Sequence, residues 1–135
     1  MSNDTPLNEF VSDTVGLVIH LEKRKLGKQA TEIFKSADTG DIIIHIPSMV
    51  FAEILYLYEK NRLSVSLSIV EKHITQHPNY KEAPLNLCVI RTASTIEDIK
   101  ELHDRLIVAT AKHLSLPLIT NDSVIQRSKH TKTVW

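Results

Sequence analysis

Hydrophobic positions follow two different periods along the chain, and their alternation predicts strands interleaved with helices. Strands are predicted for the short apolar runs EFVSD (9–13), DIIIHI (41–46), LNLCVI (85–90) and PLIT (117–120), with KTVW (132–135) as a terminal edge strand. Apolar residues recur every three or four positions elsewhere. This spacing predicts a helix that begins in segment 14–25 and ends near Gly27, and further helices over 28–37, 48–60, 66–76 and 104–114. Shorter helical segments are predicted at 94–102 and 122–128, and a loop at 77–84.

Strands that alternate with helices are typical of α/β proteins. The sequence therefore predicts a central, mostly parallel sheet of about four or five strands flanked by helices. With 135 residues, the chain fits one domain, and we expect residues 1–135 to form it.

Composition narrows the functional classes. The 16 Lys and Arg residues balance the 16 Asp and Glu residues, so a polyanion would have to bind a local patch. The only cysteine, Cys88, lies in the apolar run 85–90 and is predicted to be buried in the core, which is compatible with a reducing compartment. The polar, acidic start and the absence of an apolar run of about 18 residues favour a cytoplasmic protein without a membrane partner.

Four carboxylates occupy positions that a surface role explains poorly. Asp13 and Asp122 each follow a predicted strand, and ligands of open parallel sheets bind just beyond the strands' carboxyl ends. On its predicted helix, Asp104 shares a face with apolar residues. Glu53 has apolar neighbours one turn before and after it, and burying an unpaired charge costs several kcal/mol.

Each acid also has a simpler explanation when it is taken alone. Asp13 and Asp122 could serve only as helix N-caps, and Asp104 could be a solvated residue in a first helical turn. Glu53 could extend its carboxylate along the helix into water. The conjunction of four acids at one sheet edge is the informative feature. Hard oxygen ligands suit Mg²⁺ or Mn²⁺, and such a site can hydrolyse phosphodiester bonds.

Four segments then resemble the PIN-domain nucleases, especially the toxins of VapBC toxin–antitoxin systems. They are VSDT (11–14), IPSMVFAEI (46–54), HDRLIVATA (103–111) and LPLITND (116–122), and their order and spacing match over nearly the whole chain. The resemblance implies a PIN-like fold and a Mg²⁺- or Mn²⁺-dependent ribonuclease. It also implies metal-binding, catalytic roles for Asp13, Glu53, Asp104 and Asp122.

The resemblance further places Thr14 and Thr120 beside the metal ligands. Val15 and Ile125 depart from the family pattern, which commonly has a small polar residue and an aromatic residue there. RNA is the implied substrate, and the implied partners are a cognate antitoxin and a second copy of the chain. The helix surface around Phe51 to Tyr58 is the candidate partner region.

Basic and aromatic residues offer candidate RNA contacts. The candidates for binding phosphates are Lys23, Arg24, Arg105 and Lys112. Tyr56, Tyr58 and Tyr80 are candidates for stacking on unpaired bases, although core packing or dimer contacts explain the first two better.

Rival interpretations remain. His103–Asp104 is a dipeptide found in HD phosphohydrolases, but supporting ligands are missing. One cysteine supplies too little sulfur for a structural zinc site. A PIN-fold module that binds RNA or protein without cutting, and a PIN ribonuclease acting in RNA processing outside a toxin system, both stay open.

Overall fold

The structure is a computed structural model that describes residues 8–135; residues 1–7, which carry most of the polar start, lie outside the described residues. Strands and helices alternate through the described chain. The strands are β1 Glu9–Ser12, β2 Ile43–Pro47, β3 Tyr80–Ala83, β4 Leu118–Ile119 and β5 Thr133–Val134. The helices are α1 Thr14–Leu21, α2 Lys28–Asp38, α3 Ser48–Glu59, α4 Leu67–Gln76, α5 Leu87–Ala93, α6 Leu102–Leu114 and α7 Ser123–Gln126.

All five strands are parallel, in the order β3-β2-β1-β4-β5. The predicted α/β class with a central parallel sheet flanked by helices is therefore confirmed. Strand β1 is central, with Val11 opposite His45 of β2 and Ser12 opposite Ile119 of β4. The chain leaves β1 toward one side of the sheet and returns on the other side at β4. The carboxyl ends of β1 and β4 thus border the crevice in which α/β proteins bind ligands.

The core lies on both faces of this sheet. Val11, Ile44, Ile46, Leu118 and Ile119 are fully buried, as expected for strands covered by helices on each side. The middle of α6, including Ile107 and Val108, is buried as well, and the helix packs against β1. Burial in the core therefore fixes α6, which carries Asp104, and β4, which Asp122 follows.

The predicted third strand at 85–90 is wrong. That segment leads into α5, because the Asn86 side chain accepts a hydrogen bond from the Val89 N–H and caps the helix. The strand is instead the charged segment Tyr80–Ala83 at the sheet edge, where Lys81 and Glu82 are exposed. A short apolar run cannot by itself distinguish strand from helix.

Two related predictions also fail. Cys88 is exposed rather than buried, since it lies on the outer side of α5. No helix spans 94–102: the Ser94 hydroxyl donates back to the Arg91 carbonyl at the end of α5. The Glu97 carboxylate pairs with Lys129 and His130 instead of completing a capping box.

Other boundaries shift by a few residues. Helix α1 ends at Leu21 rather than near Gly27, and Lys23 follows it with a positive φ of 57°. Helix α6 starts at Leu102 rather than Asp104. Among residues 8–135, no helix has the length and apolar character needed to cross a membrane.

Candidate active site

Asp13 and Asp122 lie side by side at the carboxyl ends of β1 and β4. The Asp13 N–H donates to the Ile119 carbonyl at 3.2 Å, which ties the two strand ends together. Both aspartates are helix N-caps: Asp13 Oδ1 accepts from the Gly16 N–H at 2.7 Å, and Asp122 Oδ1 accepts from the Ile125 N–H at 3.0 Å. A carboxylate offers about four acceptor sites, so capping does not prevent these groups from also binding a cation.

Glu53 reaches the same place from α3. Its Oε1 accepts a hydrogen bond of 2.8 Å from the Thr14 hydroxyl, at the first position of α1. Thr14 is buried, whereas Glu53 is half-buried. The carboxylate is thus held over the sheet edge and does not extend along α3 into solvent.

Asp104 enters from the first turn of α6. Glu101 caps this helix, accepting from the N–H groups of His103 and Asp104 at 3.0 Å each. Residues 106–111 of α6 are buried, so the helix cannot turn Asp104 away from the crevice. The half-buried carboxylate therefore faces the other three acids.

The four acids line one small pocket of about 100 Å³. The structure therefore brings together all four residues predicted as ligands. Helix α1 contributes Thr14 to the wall of this pocket. Thr120 is fully buried, and its hydroxyl accepts a hydrogen bond of 3.1 Å from the Asp122 N–H. The complete lining is Asp13, Thr14, Val15, Glu53, Asp104, Ile107, Asn121, Asp122 and Ile125.

Mutual repulsion and burial raise the proton affinity of this pocket. Burial raises the pKa of Asp13 to about 6; the Thr120 hydroxyl and the Gly16 N–H oppose this shift, and the charges of Asp122 and Asp104 add to it. The pKa of Asp104 also rises to about 6, through burial and then through the charges of Glu101, Asp122 and Glu53. No Lys or Arg lines the pocket. Its negative charge is left to be neutralised by protons or by a cation.

The donor set fits a hard divalent cation. Four carboxylates supply only oxygen, the ligand type that Mg²⁺ and Mn²⁺ prefer. Among these four described acids, no three place one oxygen each within 4.8 Å of the others. A metal would therefore draw the carboxylates inward or reach some of them through water, and Mg²⁺ usually retains several waters.

Helix polarity offsets part of the repulsion. The N-terminus of α1 lies at Asp13, whose carboxylate accepts from the Gly16 N–H, and Asp104 lies in the first turn of α6. The positive ends of helix dipoles stabilise nearby anions by about 0.3–1 kcal/mol each. This arrangement lets the fold tolerate four acids in one place without a cationic side chain.

The basic residues predicted to bind RNA lie outside the pocket. Lys23 and Arg24 follow the far end of α1, where Arg24 pairs with Glu22 at 2.8 Å. The Arg105 guanidinium donates to the carbonyls of Ile99 and Lys100 and so holds the turn before α6. Lys112 lies in the last turn of α6, with its Nζ on Thr95 Oγ1 and His130 Nδ1. Their role in binding RNA stays a prediction.

A larger groove of about 430 Å³ adjoins the pocket and shares Glu53 with it. Tyr56 lines this groove and is 57% exposed, so core packing does not account for it, whereas Tyr80 is buried and cannot stack on a base. His103, in the first turn of α6 and next to Asp104 in the chain, also lines the groove. The remaining wall is formed by Met49, Ala52 and Leu57.

Sequence reasoning missed two members of this region. Asn121 lines the pocket between Thr120 and Asp122, and its position directly after β4 was the available signal. Glu101 caps α6 and lies close enough to Asp104 to raise its pKa. Glu101 falls inside the helix predicted at 94–102, and the next helix is predicted to start at Asp104, so Glu101 does not stand at a predicted helix start where a cap is expected.

Comparisons with known proteins agree with this geometry. The family model described as the PIN domain matches residues 11–130, whereas no curated protein sequence matches the chain. The fold is similar to a chain of VapBC2 from Rickettsia felis bound to a fragment of its promoter DNA, with TM-score 0.71, 16% identity, and coverage of 94% of this chain and 98% of that one. It is also similar to DNA-bound VapBC from Salmonella typhimurium, with TM-score 0.69, 15% identity, and coverage of 93% of this chain and 96% of that one. The similarity to FitAcB from Neisseria gonorrhoeae has TM-score 0.66 and 16% identity, and it covers 93% of this chain and 96% of that one.

The matched segment spans nearly the whole chain and includes all four acids of the pocket. The chain therefore belongs to the PIN domain family.

Proposed function

We propose that the protein is a metal-dependent endoribonuclease of the VapC toxin type that hydrolyses RNA phosphodiester bonds. The observation that carries this proposal is the convergence of Asp13, Glu53, Asp104 and Asp122 in one pocket without a neutralising basic side chain. Membership of the PIN family supports nuclease chemistry. The similarity to chains from VapBC and FitAcB complexes supports the toxin assignment.

In this proposal the four acids hold Mg²⁺ or Mn²⁺, and each has a distinct support. Asp13 and Asp122 are fixed by their own capping bonds, Glu53 by the Thr14 hydroxyl, and Asp104 by the buried face of α6. When bound, a divalent cation lowers the pKa of an attacking water and stabilises the leaving oxygen. No nucleophilic side chain is required.

The neighbouring groove gives the substrate a place beside the acids. A phosphate drawn to the pocket would leave the adjoining nucleotide next to Tyr56, whose exposed ring can stack on an unpaired base. Such stacking is worth about 1–3 kcal/mol per base and tolerates any base. We propose a cytoplasmic location for the protein, which agrees with an RNA substrate.

A cognate antitoxin and a second copy of the chain are the proposed protein partners. The similarity to VapBC2 and FitAcB structures supports the antitoxin as a partner. On this chain, α3 exposes Leu55, Tyr56 and Tyr58, and α4 exposes Ile69. These side chains form an apolar surface around the predicted region Phe51 to Tyr58.

Cleavage of a labelled RNA by the purified chain tests the proposal. We expect cutting with Mg²⁺ or Mn²⁺, none with excess chelator, and none with Asp104→Asn, which keeps the shape of the side chain but removes its charge. Asp41→Asn, at an exposed acid outside the pocket, is the matched control and should cut normally.

Two outcomes would contradict the proposal. Cleavage that persists in folded Asp104→Asn would remove the pocket from the chemistry. RNA binding without cutting at any divalent ion concentration would instead favour a PIN-fold binding module. Growth arrest on expression, relieved by Asp104→Asn, is the expected sign of a toxin; a PIN ribonuclease of RNA processing would not arrest growth.

A further inference from the structure

A second cluster of metal-ligating side chains lies away from the acidic pocket. Asp38, the last residue of α2, contacts two histidines through its carboxylate: His20 Nε2 lies 2.9 Å from Oδ2, and His73 Nε2 lies 3.0 Å from Oδ1. The three ligand atoms all fall within 4.8 Å of one another. Three helices, α1, α2 and α4, therefore meet at one group of two imidazoles and one carboxylate.

This cluster is separate from the proposed nuclease site. His20 lies in the last turn of α1, whereas Asp13 caps the first turn of the same helix. Seven residues of helix separate them by about 10 Å at 1.5 Å per residue. The two groups of ligands share no residue.

Both imidazole rings are held in place by packing. The His20 ring stacks on the buried Phe34 ring, with centroids 4.7 Å apart and planes 13° from parallel. The His73 ring stacks on His77 at 4.0 Å and meets the edge of Tyr80. Ring orientation is therefore set by neighbours outside the cluster, so both Nε2 atoms are directed at the same carboxylate before any ion arrives.

Asp38 is oriented in the same way. The Tyr80 hydroxyl donates to Asp38 Oδ1 at 2.5 Å, and burial together with Asp38 raises the pKa of Tyr80, so the phenol remains a donor. Burial opposes ionisation of Asp38, but the Tyr80 bond and the two histidines outweigh it and lower the pKa of the carboxyl. Partners that orient a ligand commonly strengthen metal binding.

We propose that His20, Asp38 and His73 form a binding site for a borderline transition metal ion such as Zn²⁺. Two nitrogen donors and one oxygen select such ions over Mg²⁺, which takes oxygen. Three protein ligands leave a fourth tetrahedral position for water. The side chains of His20 and His73 are 19% and 17% exposed, which leaves the ion a path from solvent.

Protonation of the ligands is compatible with this assignment. Burial lowers the pKa of His73, which favours the neutral imidazole that binds metal. An ion at Nε2 requires the ring proton to lie on Nδ1. No described residue is hydrogen-bonded to Nδ1 of His20 or to Nδ1 of His73, so the Nδ1 atom of each ring is free to hold that proton.

Sequence reasoning dismissed zinc because one cysteine supplies little sulfur. The site uses no sulfur, and its histidines are separated by more than fifty residues, so no local spacing revealed it. A second group, Glu97, Asp98 and His130, offers a single nitrogen and is already paired with Lys129. It therefore fits a transition metal less well.

Imidazole nitrogen NMR on the metal-stripped full chain tests the inference directly. One equivalent of Zn²⁺ should shift the Nε2 signals of His20 and His73 and fix both rings with the proton on Nδ1. The other five histidines should keep their signals. No shift of these two nitrogens by two equivalents, or a shift centred on His130, would overturn the assignment.

Variants supply the second measurement. His73→Gln and Asp38→Asn should each weaken Zn²⁺ binding, measured by competition with a chromophoric chelator, by at least about ten-fold, the scale of loss seen even for partners that only orient a ligand. His113→Gln, at an exposed histidine of α6, is the control and should bind normally. Unchanged affinity in His73→Gln would show that the cluster only joins helices by hydrogen bonds.

Asp104→Asn separates this inference from the nuclease proposal. The variant removes an acid of the pocket and leaves the histidine cluster intact, so its His20 and His73 signals should respond to Zn²⁺ as in the parent. A loss of Zn²⁺ binding at the histidines in folded Asp104→Asn would contradict the independence of the two sites.

Discussion

The Thr14 hydroxyl donates a 2.8 Å hydrogen bond to Glu53 Oε1 and so joins the first residue of α1 to the middle of α3. Thr14 directly follows Asp13 in the chain. The backbone at the start of α1 therefore positions two carboxylates. It carries that of Asp13 itself, and through the Thr14 hydroxyl it holds that of Glu53. Two acids that are 40 positions apart in sequence are set by one helix start.

Removing that hydroxyl should weaken metal binding more than it weakens the fold. Thr14→Ala frees the Glu53 carboxylate, and loss of such an orienting partner typically costs about 10–100-fold in metal affinity. We expect a rise of at least about ten-fold in the Mn²⁺ concentration that gives half-maximal cleavage. Thr14→Ser, which keeps the hydroxyl, should restore the parent value; equal defects in the two variants would contradict the role of the hydrogen bond.

Charge removal at Asp13 should stabilise the metal-free protein at high pH. The pKa of Asp13 is about 6 in the folded protein against an ordinary 3.8, so the folded state binds the proton more tightly than the unfolded state. The stability this contributes is fully present below pH 3.8 and is lost as pH rises through 6. At pH 8 the ionised carboxylate costs up to about 3 kcal/mol.

Asp13→Asn keeps a good helix cap and removes this cost. With chelator present, the free energy of unfolding in urea should rise at pH 8, by about 1–3 kcal/mol, and stay unchanged at pH 3.5. A gain of equal size at both pH values would show that charge is not its cause.

Metal binding should release protons near pH 6. Asp13 and Asp104 both have pKa values of about 6, so each is about half protonated at that pH, and ligating carboxylates must be ionised. Titration calorimetry of Mn²⁺ in buffers of different ionisation enthalpy should show release of about one proton per ion at pH 6 and almost none at pH 8. Cleavage should correspondingly fall as the pH drops below about 6. Equal proton release at the two pH values would contradict the raised pKa values.

A side chain at Gly16 should disturb the pocket. A Cβ at this position would lie 2.9 Å from Asp13 Oδ1, with Trp135 and Ile119 on its other sides. Gly16→Ala is therefore expected to displace the Asp13 carboxylate and to reduce metal-dependent cleavage by at least about ten-fold, as loss of an orienting contact does. Gly40→Ala is the comparison, because φ at Gly40 is +90°, which strains any side chain, while no atom of the described residues lies within 4 Å of the added Cβ. It should lower the melting temperature while the remaining folded protein cleaves normally.

Much of the fold was predictable because its central strands are continuous apolar runs. Ile43–Pro47 and the segment around Val11 could be recognised as buried parallel strands. The edge strand Tyr80–Ala83 could not, since its exposed Lys81 and Glu82 read as loop residues. The apolar character of segment 85–90 predicts a strand, and only the Asn86 cap distinguishes the helix start that the structure shows there.

The four acids could be predicted, but their surroundings could not. Strand ends and an apolar helix face locate Asp13, Asp104 and Asp122 at one edge of a parallel sheet. Local patterns do not reveal which polar groups face each other across that edge. The hydrogen bond between Thr14 and Glu53 and the position of Asn121 in the pocket wall are therefore visible only in the structure. The same limit hid the contacts of Asp38 with His20 and His73.

The central claim is that four carboxylates together hold a divalent cation. An anomalous difference map from crystals of the chain soaked in millimolar Mn²⁺ tests it most directly. The account predicts a peak among the carboxylates of Asp13, Glu53, Asp104 and Asp122 that disappears in Asp104→Asn. A map without a peak in this pocket, while Mn²⁺ binds elsewhere on the chain, would contradict it.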